Sequence, residues 1–117
     1  MRVEIIDGEL VCPLCGGRYL HQVKTSIFQR GEDETTCTRT VVEGRNTHVT
    51  AYAHNSENPS GRRQGMVIRF ECEQAGDHVN PNTPLELLVS QHKGNTLMVW
   101  RDYDTNTPPW APPQVAT

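Results

Sequence analysis

Cys12-Pro-Leu-Cys15 sets two thiols two residues apart, and Gly16-Gly17 follows at once. Two thiolates at this spacing can reach one tetrahedral ion, while glycines let the backbone turn tightly beneath it, which is the chemistry of a zinc knuckle. A closed site needs two further ligands. Cys72 ends an alternating apolar segment where a second pair would begin, but position 75 is Ala75 rather than a thiol. His78 is the nearest remaining donor, reached from Cys72 through Gly76, so the predicted site is Cys12, Cys15, Cys72 and His78 around structural Zn²⁺. Cys37 competes for the fourth place, although its position between Thr36 and Thr38 suits a core residue better. The alternative reading leaves Cys12, Cys15 and Cys72 as reduced thiols that fill space. Thioredoxin-like redox chemistry would need a βαβ unit with the motif at a helix start, and neither is in the pattern.

The elements that must position these thiols are strands. Val3, Ile5, Ile6, Leu10 and Val11 flank an Asp7-Gly8 turn signal and predict a short hairpin leading into the knuckle. Residues 18–30 alternate with period two and predict a long strand, and residues 35–43 and 47–53 predict two more around Gly44-Arg45-Asn46. Residues 55–65 contain nothing suited to burial and read as a surface loop that carries the densest positive charge. Met66, Ile68, Phe70 and Cys72 mark the apolar face of the next strand. After a loop over residues 73–84, residues 85–91 and 96–103 predict a hairpin around His92-Lys93-Gly94-Asn95. Residues 105–117 hold Pro108, Pro109, Pro112 and Pro113, cannot extend a sheet, and read as a flexible Pro-rich tail after a single β-rich domain at 1–104.

Composition agrees with this pattern. Eleven Val and twelve Thr against seven Leu and four Ile favour an all-β fold over helix bundles. At 117 residues and 35% hydrophobic content the core is thin, so a metal or another constraint is expected to supplement it. A formal charge of −3 argues against a general electrostatic grip on nucleic acid. No apolar run approaches the roughly 20 residues of a membrane span, and no signal-peptide pattern opens the chain, so a cytoplasmic location is expected. Four cysteines in a reducing compartment read as ligands or core residues rather than disulfides.

Arg62 and Arg63, with Arg45, Arg69, His92 and Lys93, are the candidate contacts for a partner or for nucleic acid. Solvated loop residues would look the same. Tyr19, Phe28, Tyr52, Phe70, Trp100 and Tyr103 could stack bases, but core positions suit most of them better, and burial is expected for Phe70 and Trp100. Trp110, among prolines, could dock on its own domain or in a partner groove. The serines at 26, 56, 60 and 90 lie in no nucleophile elbow, and neither a phosphate-cradling loop nor a His-Glu-x2-His metal motif is present, so no enzyme is expected. Were the fourth metal position a water, only Asp77 or Glu73 could be nominated as its base.

Cys12-Pro-Leu-Cys-Gly-Gly, Arg18-Tyr-Leu-His, Phe28-Gln-Arg-Gly-Glu-Asp, Asn58-Pro-Ser-Gly-Arg-Arg-Gln-Gly, Phe70-Glu-Cys-Glu and Gln91-His-Lys-Gly-Asn-Thr together resemble small zinc-ribbon-type proteins of actinobacterial phages, prophages and their hosts. The likeness spans about residues 10–101. In that group a second cysteine stands where this chain has Ala75, so four-thiolate coordination is the point of departure. The resemblance implies a ribbon fold and a phage context, with no chemistry to transfer. The expected function is a metal-stabilised adaptor with a protein partner, acting in the host cytoplasm if phage-encoded. The alternatives are a nucleic-acid-binding ribbon and an inhibitor of a host transcription or defence complex, the latter motivated by acidic segments such as Glu32-Asp33-Glu34.

Overall fold

The alternating segments pair into two antiparallel sheets in the computed structural model, which describes residues 1–74 and 84–101. His78, Ala75, Asp77, Tyr103, Trp110 and the Pro-rich tail lie outside those residues. A small hairpin, β1 (Ile5–Ile6) with β2 (Glu9–Leu10), precedes a six-stranded sheet. Its strands are β3 (Leu20–Gln29), β4 (Thr36–Glu43), β5 (Asn46–His54), β6 (Gly65–Cys72), β7 (Leu85–His92) and β8 (Asn95–Trp100), in the spatial order β5-β4-β3-β6-β7-β8. The chain is thus all-β among the described residues. Two tight turns carry the expected chemistry: Asp7-Gly8 and Lys93-Gly94 both adopt positive φ, the type I′ pattern that matches strand twist.

Period-two alternation gives the large sheet two different faces. On one, Phe28, Cys37, Ala53, Val67, Leu88 and Val99 form a buried cluster. On the other, Cys12, Cys72, Leu85, Leu87 and Trp100 form a second, against which Val3, Leu10, Leu20, Ile68 and Phe70 pack. Residues of the N-terminal segment and its hairpin therefore lie in the second cluster, and an Arg2–Val99 bridge ties that segment to β8. Bulges shift the register between Gln22 and Lys24 on β3 and between Cys37 and Arg39 on β4, the latter opposite Tyr52, which takes a φ of 58°.

The loop between β5 and β6 departs from the surface loop that its composition predicts. Asn58, Pro59 and Ser60 are buried. The Ser60 backbone N–H donates to Asn58 Oδ1, the Ser60 hydroxyl donates to the Gln64 carbonyl, and that hydroxyl accepts the Gln91 backbone N–H at 2.9 Å. Arg30 acts as the hub, donating to the backbone carbonyls of Arg63 at 3.0 Å, Glu34 at 2.8 Å and Ser60 at 3.1 Å. Polar residues can be buried when their hydrogen bonds are met, and here one guanidinium meets three carbonyls. Arg30→Ala is accordingly expected to destabilise the protein by about 2–3 kcal/mol and to open residues 55–64 to proteolysis. Arg30→Lys should recover little, because an ammonium lacks the planar fork. Denaturant midpoints with limited proteolysis test this, and unchanged cleavage in the Ala variant would refute the hub role.

Candidate metal centre

The knuckle is a closed loop. The Cys12 N–H donates to the Gly17 carbonyl at 2.8 Å, and the Gly16 N–H returns to the Cys12 carbonyl at 3.0 Å. Gly16 sits at a φ of +76°, which a side-chain-bearing residue rarely adopts. Gly17 lies close to its neighbours: a Cβ there would displace the tip of the Gln74 side chain and lie 3.3 Å from the Cys15 sulfur. These two glycines let the loop fold its sulfurs toward the end of β6, where Cys72 pairs with Leu20 of β3. The Glu73 N–H donates to the Tyr19 carbonyl at 3.0 Å and fixes the chain just beyond Cys72.

The sulfurs of Cys12, Cys15 and Cys72 all lie within 4.8 Å of one another. Cys15 Sγ and Cys72 Sγ are 3.6 Å apart, and no disulfide joins them. Tetrahedral Zn–S bonds of about 2.3 Å place sulfurs about 3.8 Å apart, so the observed separations fit one ion. The Gly17 N–H donates to Cys15 Sγ at 3.4 Å, and this contact, ahead of the neighbouring sulfurs, lowers the Cys15 thiol pKa below its ordinary value. Burial pushes the buried Cys72 thiol the other way, to about 11. An exposed, acidified thiol beside a buried, reluctant one suits a site that becomes fully ionised only when a cation compensates the charge. The Gln74 side-chain oxygen lies 3.9 Å from Cys15 Sγ.

Cys37 takes no part. It is buried in the other cluster, its thiol donates to the Ala53 carbonyl at 3.7 Å, and burial raises its pKa.

No family model, curated protein or solved structure matches the chain.

The candidate contact residues do not form one basic face. Arg62 makes a fork with Asp33, Nε to Oδ1 and Nη2 to Oδ2 at 2.8 Å each, and reaches Glu32 at 3.1 Å. Arg63 binds Glu32 at 2.9 Å, and the Asp33 N–H donates to the Arg62 carbonyl at 2.8 Å. The Arg62 hydrogen bond holds the Asp33 carboxyl below the usual range, while Asp33 raises Arg62 in turn. The acidic turn and the basic loop therefore complement each other rather than facing separate partners. Arg69 lies 3.5 Å from Glu86. Lys93, in the β7–β8 turn, shares the Gly65 end of the sheet with Arg62 and Arg63, whereas Arg45, in the β4–β5 turn, belongs to the opposite end. His92 closes β7 opposite Asn95.

The aromatic residues divide as well. Trp100 is buried and Phe70 half-buried against it, but Tyr19 and Tyr52 are exposed rather than core residues, Tyr52 at 86%. Sequence reasoning missed Gln74 and the buried backing of the site by Trp100, Leu85 and Leu87. It also missed the 2.6 Å pair of His21 with Glu73 beside Cys72. Alternation within residues 85–91 marks Leu85 and Leu87 as one face, but only the strand pairing shows that the thiols lie there.

Proposed function

We propose that this chain is a metal-stabilised β module that works as a binding adaptor, with Zn²⁺ held by Cys12, Cys15, Cys72 and, from the segment beyond Gln74, His78. The observation that carries this reading is the convergence of three reduced sulfurs from a knuckle and a strand end, 57 residues apart between Cys15 and Cys72. When bound, the ion would supply folding energy by cross-linking the N-terminal segment to the sheet. Three thiolates and an imidazole leave no open position for a substrate, which favours a scaffold over a catalyst.

A protein partner is favoured by the surface. Val49, Thr40, Ile27, Met66, Val89 and Met98 are successive register partners across all six strands and share one face. Val49 is 65% and Met98 46% exposed, and the other four are half-buried. A row that is apolar at every strand but β4, where Thr40 stands, suits an apolar protein surface better than a phosphate backbone. The carboxylates paired with Arg62, Arg63 and Arg69 point the same way.

Native mass spectrometry and affinity capture together test the reading. One Zn²⁺ per chain is expected, lost in Cys15→Ser and Cys72→Ser and weakened in His78→Ala. A protein captured by the metal-loaded chain should be released by paired Val49→Lys and Met98→Lys substitutions that leave the melting temperature unchanged. Absence of metal from freshly purified protein refutes the metal centre, and capture insensitive to the apolar row refutes the adaptor surface.

A further inference from the structure

The opposite face of the sheet holds a second feature, independent of the thiols. Lys24 on β3 is the register partner of Arg69 on β6, and Arg69 is the register partner of Glu86 on β7. Arg101, just past β8, joins the row through its backbone N–H, which donates to the Glu86 carbonyl at 2.9 Å, and its Nε lies 3.0 Å from Glu86 Oε1. One largely buried carboxylate thus serves two guanidinium groups, and Lys24 meets no carboxylate within ion-pair distance among the described residues. Like charges directly opposite on neighbouring strands are unfavourable. Arg69 Nε is also buried with no hydrogen-bond partner among the described residues.

These charges wall a pocket of about 330 Å³ whose other side chains include Phe28, Val67 and Ser26. Glu57 closes it from the short turn after β5, and Arg39 approaches Glu57 at 3.7 Å. Three cations around a largely polar lining, beneath which Phe28 and Val67 are buried, are the complement of a small anionic group. The two carboxylates already present, Glu86 and Glu57, favour a monoanion over a phosphate dianion.

We propose that the pocket between Lys24, Arg69 and Arg101 binds the carboxylate group of a small acid or of a peptide C-terminus. The carboxylate bridges Lys24 and Arg69, whose apposition it relieves. A free acid and the C-terminal residue of a peptide share this chemistry.

The test is an NMR titration of the metal-loaded, ¹⁵N-labelled full chain with benzoate, N-acetylphenylalanine, the neutral amide of N-acetylphenylalanine, and inorganic phosphate. Both carboxylates are expected to shift the amides of Ser26, Val67 and Leu88 saturably, and the neutral amide should bind at least about tenfold more weakly. Lys24→Gln, which keeps most of the side-chain stem, should weaken carboxylate binding by about tenfold and leave the neutral amide unaffected. Tighter binding of N-acetylphenylalanine than of benzoate assigns the pocket to peptide C-termini, and the reverse order assigns it to free acids. The proposal is overturned if neither carboxylate gives a saturable local shift, if the neutral amide binds equally well, if Lys24→Gln changes nothing, or if inorganic phosphate occupies the pocket as tightly. The acid-to-amide comparison stands even if the variant folds poorly.

Discussion

Stripping the metal with a strong chelator should lower the melting temperature by more than about 15 °C, because the ion would fasten the N-terminal segment over the second core cluster. Structural zinc contributes on the order of 10 kcal/mol in small domains that fold around it, and each kcal/mol moves the midpoint by roughly 4–8 °C at this scale. Even a third of that contribution would dominate a module whose clusters are small. The change should be local first. Val3, Leu10 and Cys12 come from the knuckle side, whereas Phe28, Val67 and Leu88 belong to the sheet's other face. Amide exchange should accordingly rise most over residues 3–17 and least over the centres of β3 and β6.

The variants separate the ion's contribution from that of packing. Cys15 is exposed, so Cys15→Ser should melt with the chelated wild type and no lower. Cys72 is buried, and Cys72→Ser should fall a further 1–3 kcal/mol or so, since it leaves a hydroxyl among apolar neighbours. Acid should act in the same direction as chelation. Thiols bind the ion only as thiolates, so protons compete with it, and the stabilisation present at neutral pH is lost as the pH falls. Calorimetry with and without chelator decides the matter. An unchanged midpoint after verified metal removal would leave the three sulfurs as neighbours and nothing more.

The strands and the knuckle were legible because their signals are local. Apolar residues recur on one face of β6 at Met66, Ile68, Phe70 and Cys72 and on one face of β7 at Leu85, Leu87 and Val89, and Asp7-Gly8 and Lys93-Gly94 dictate their own turns. Cys72 could be nominated because it ends such a strand. What could not be read is whatever depends on pairing between distant segments. The bulge between Gln22 and Lys24 moves Lys24 onto the face of Arg69, so simple alternation along β3 misplaces it. Asp33 lies 29 residues from Arg62, and no local rule joins an acidic turn to a basic loop. The burial of Pro59 and Ser60 depends likewise on Arg30, whose hydrogen bonds go to backbone carbonyls and leave no trace in side-chain composition. His78 is a candidate only by its proximity to Cys72 in sequence, and metal loss in His78→Ala tests it.

Trp100→Ala should be the most damaging single substitution outside the thiols, costing about 3–5 kcal/mol. Trp100 is only 1% exposed, packs with Cys12, Cys72, Leu85 and Leu87, and meets Phe70 edge-to-face at 5.7 Å and 69°. Removing the indole leaves a cavity in the cluster that includes two of the three cysteines. The loss should therefore reach the metal: in chelator competition the Ala variant is expected to release Zn²⁺ more readily than the wild type, although no ligand is changed. Trp100→Phe makes the argument sharper. The indole Nε1 is buried with no hydrogen-bond partner among the described residues, so a phenyl ring discards an unsatisfied donor as it gives up volume. These effects oppose each other, and the Phe variant should stay within about 1.5 kcal/mol of the wild type and retain its metal. Denaturant midpoints measured on the metal-loaded proteins, followed by chelator competition, read both quantities from the same samples. If Trp100→Ala unfolds early yet holds Zn²⁺ as tightly as the wild type, the cluster and the thiolate site are energetically separate. Parallel losses in the Ala variant, with near-native behaviour in the Phe variant, would show that the same packed residues hold the sheet's second face and keep the sulfurs within reach of one ion.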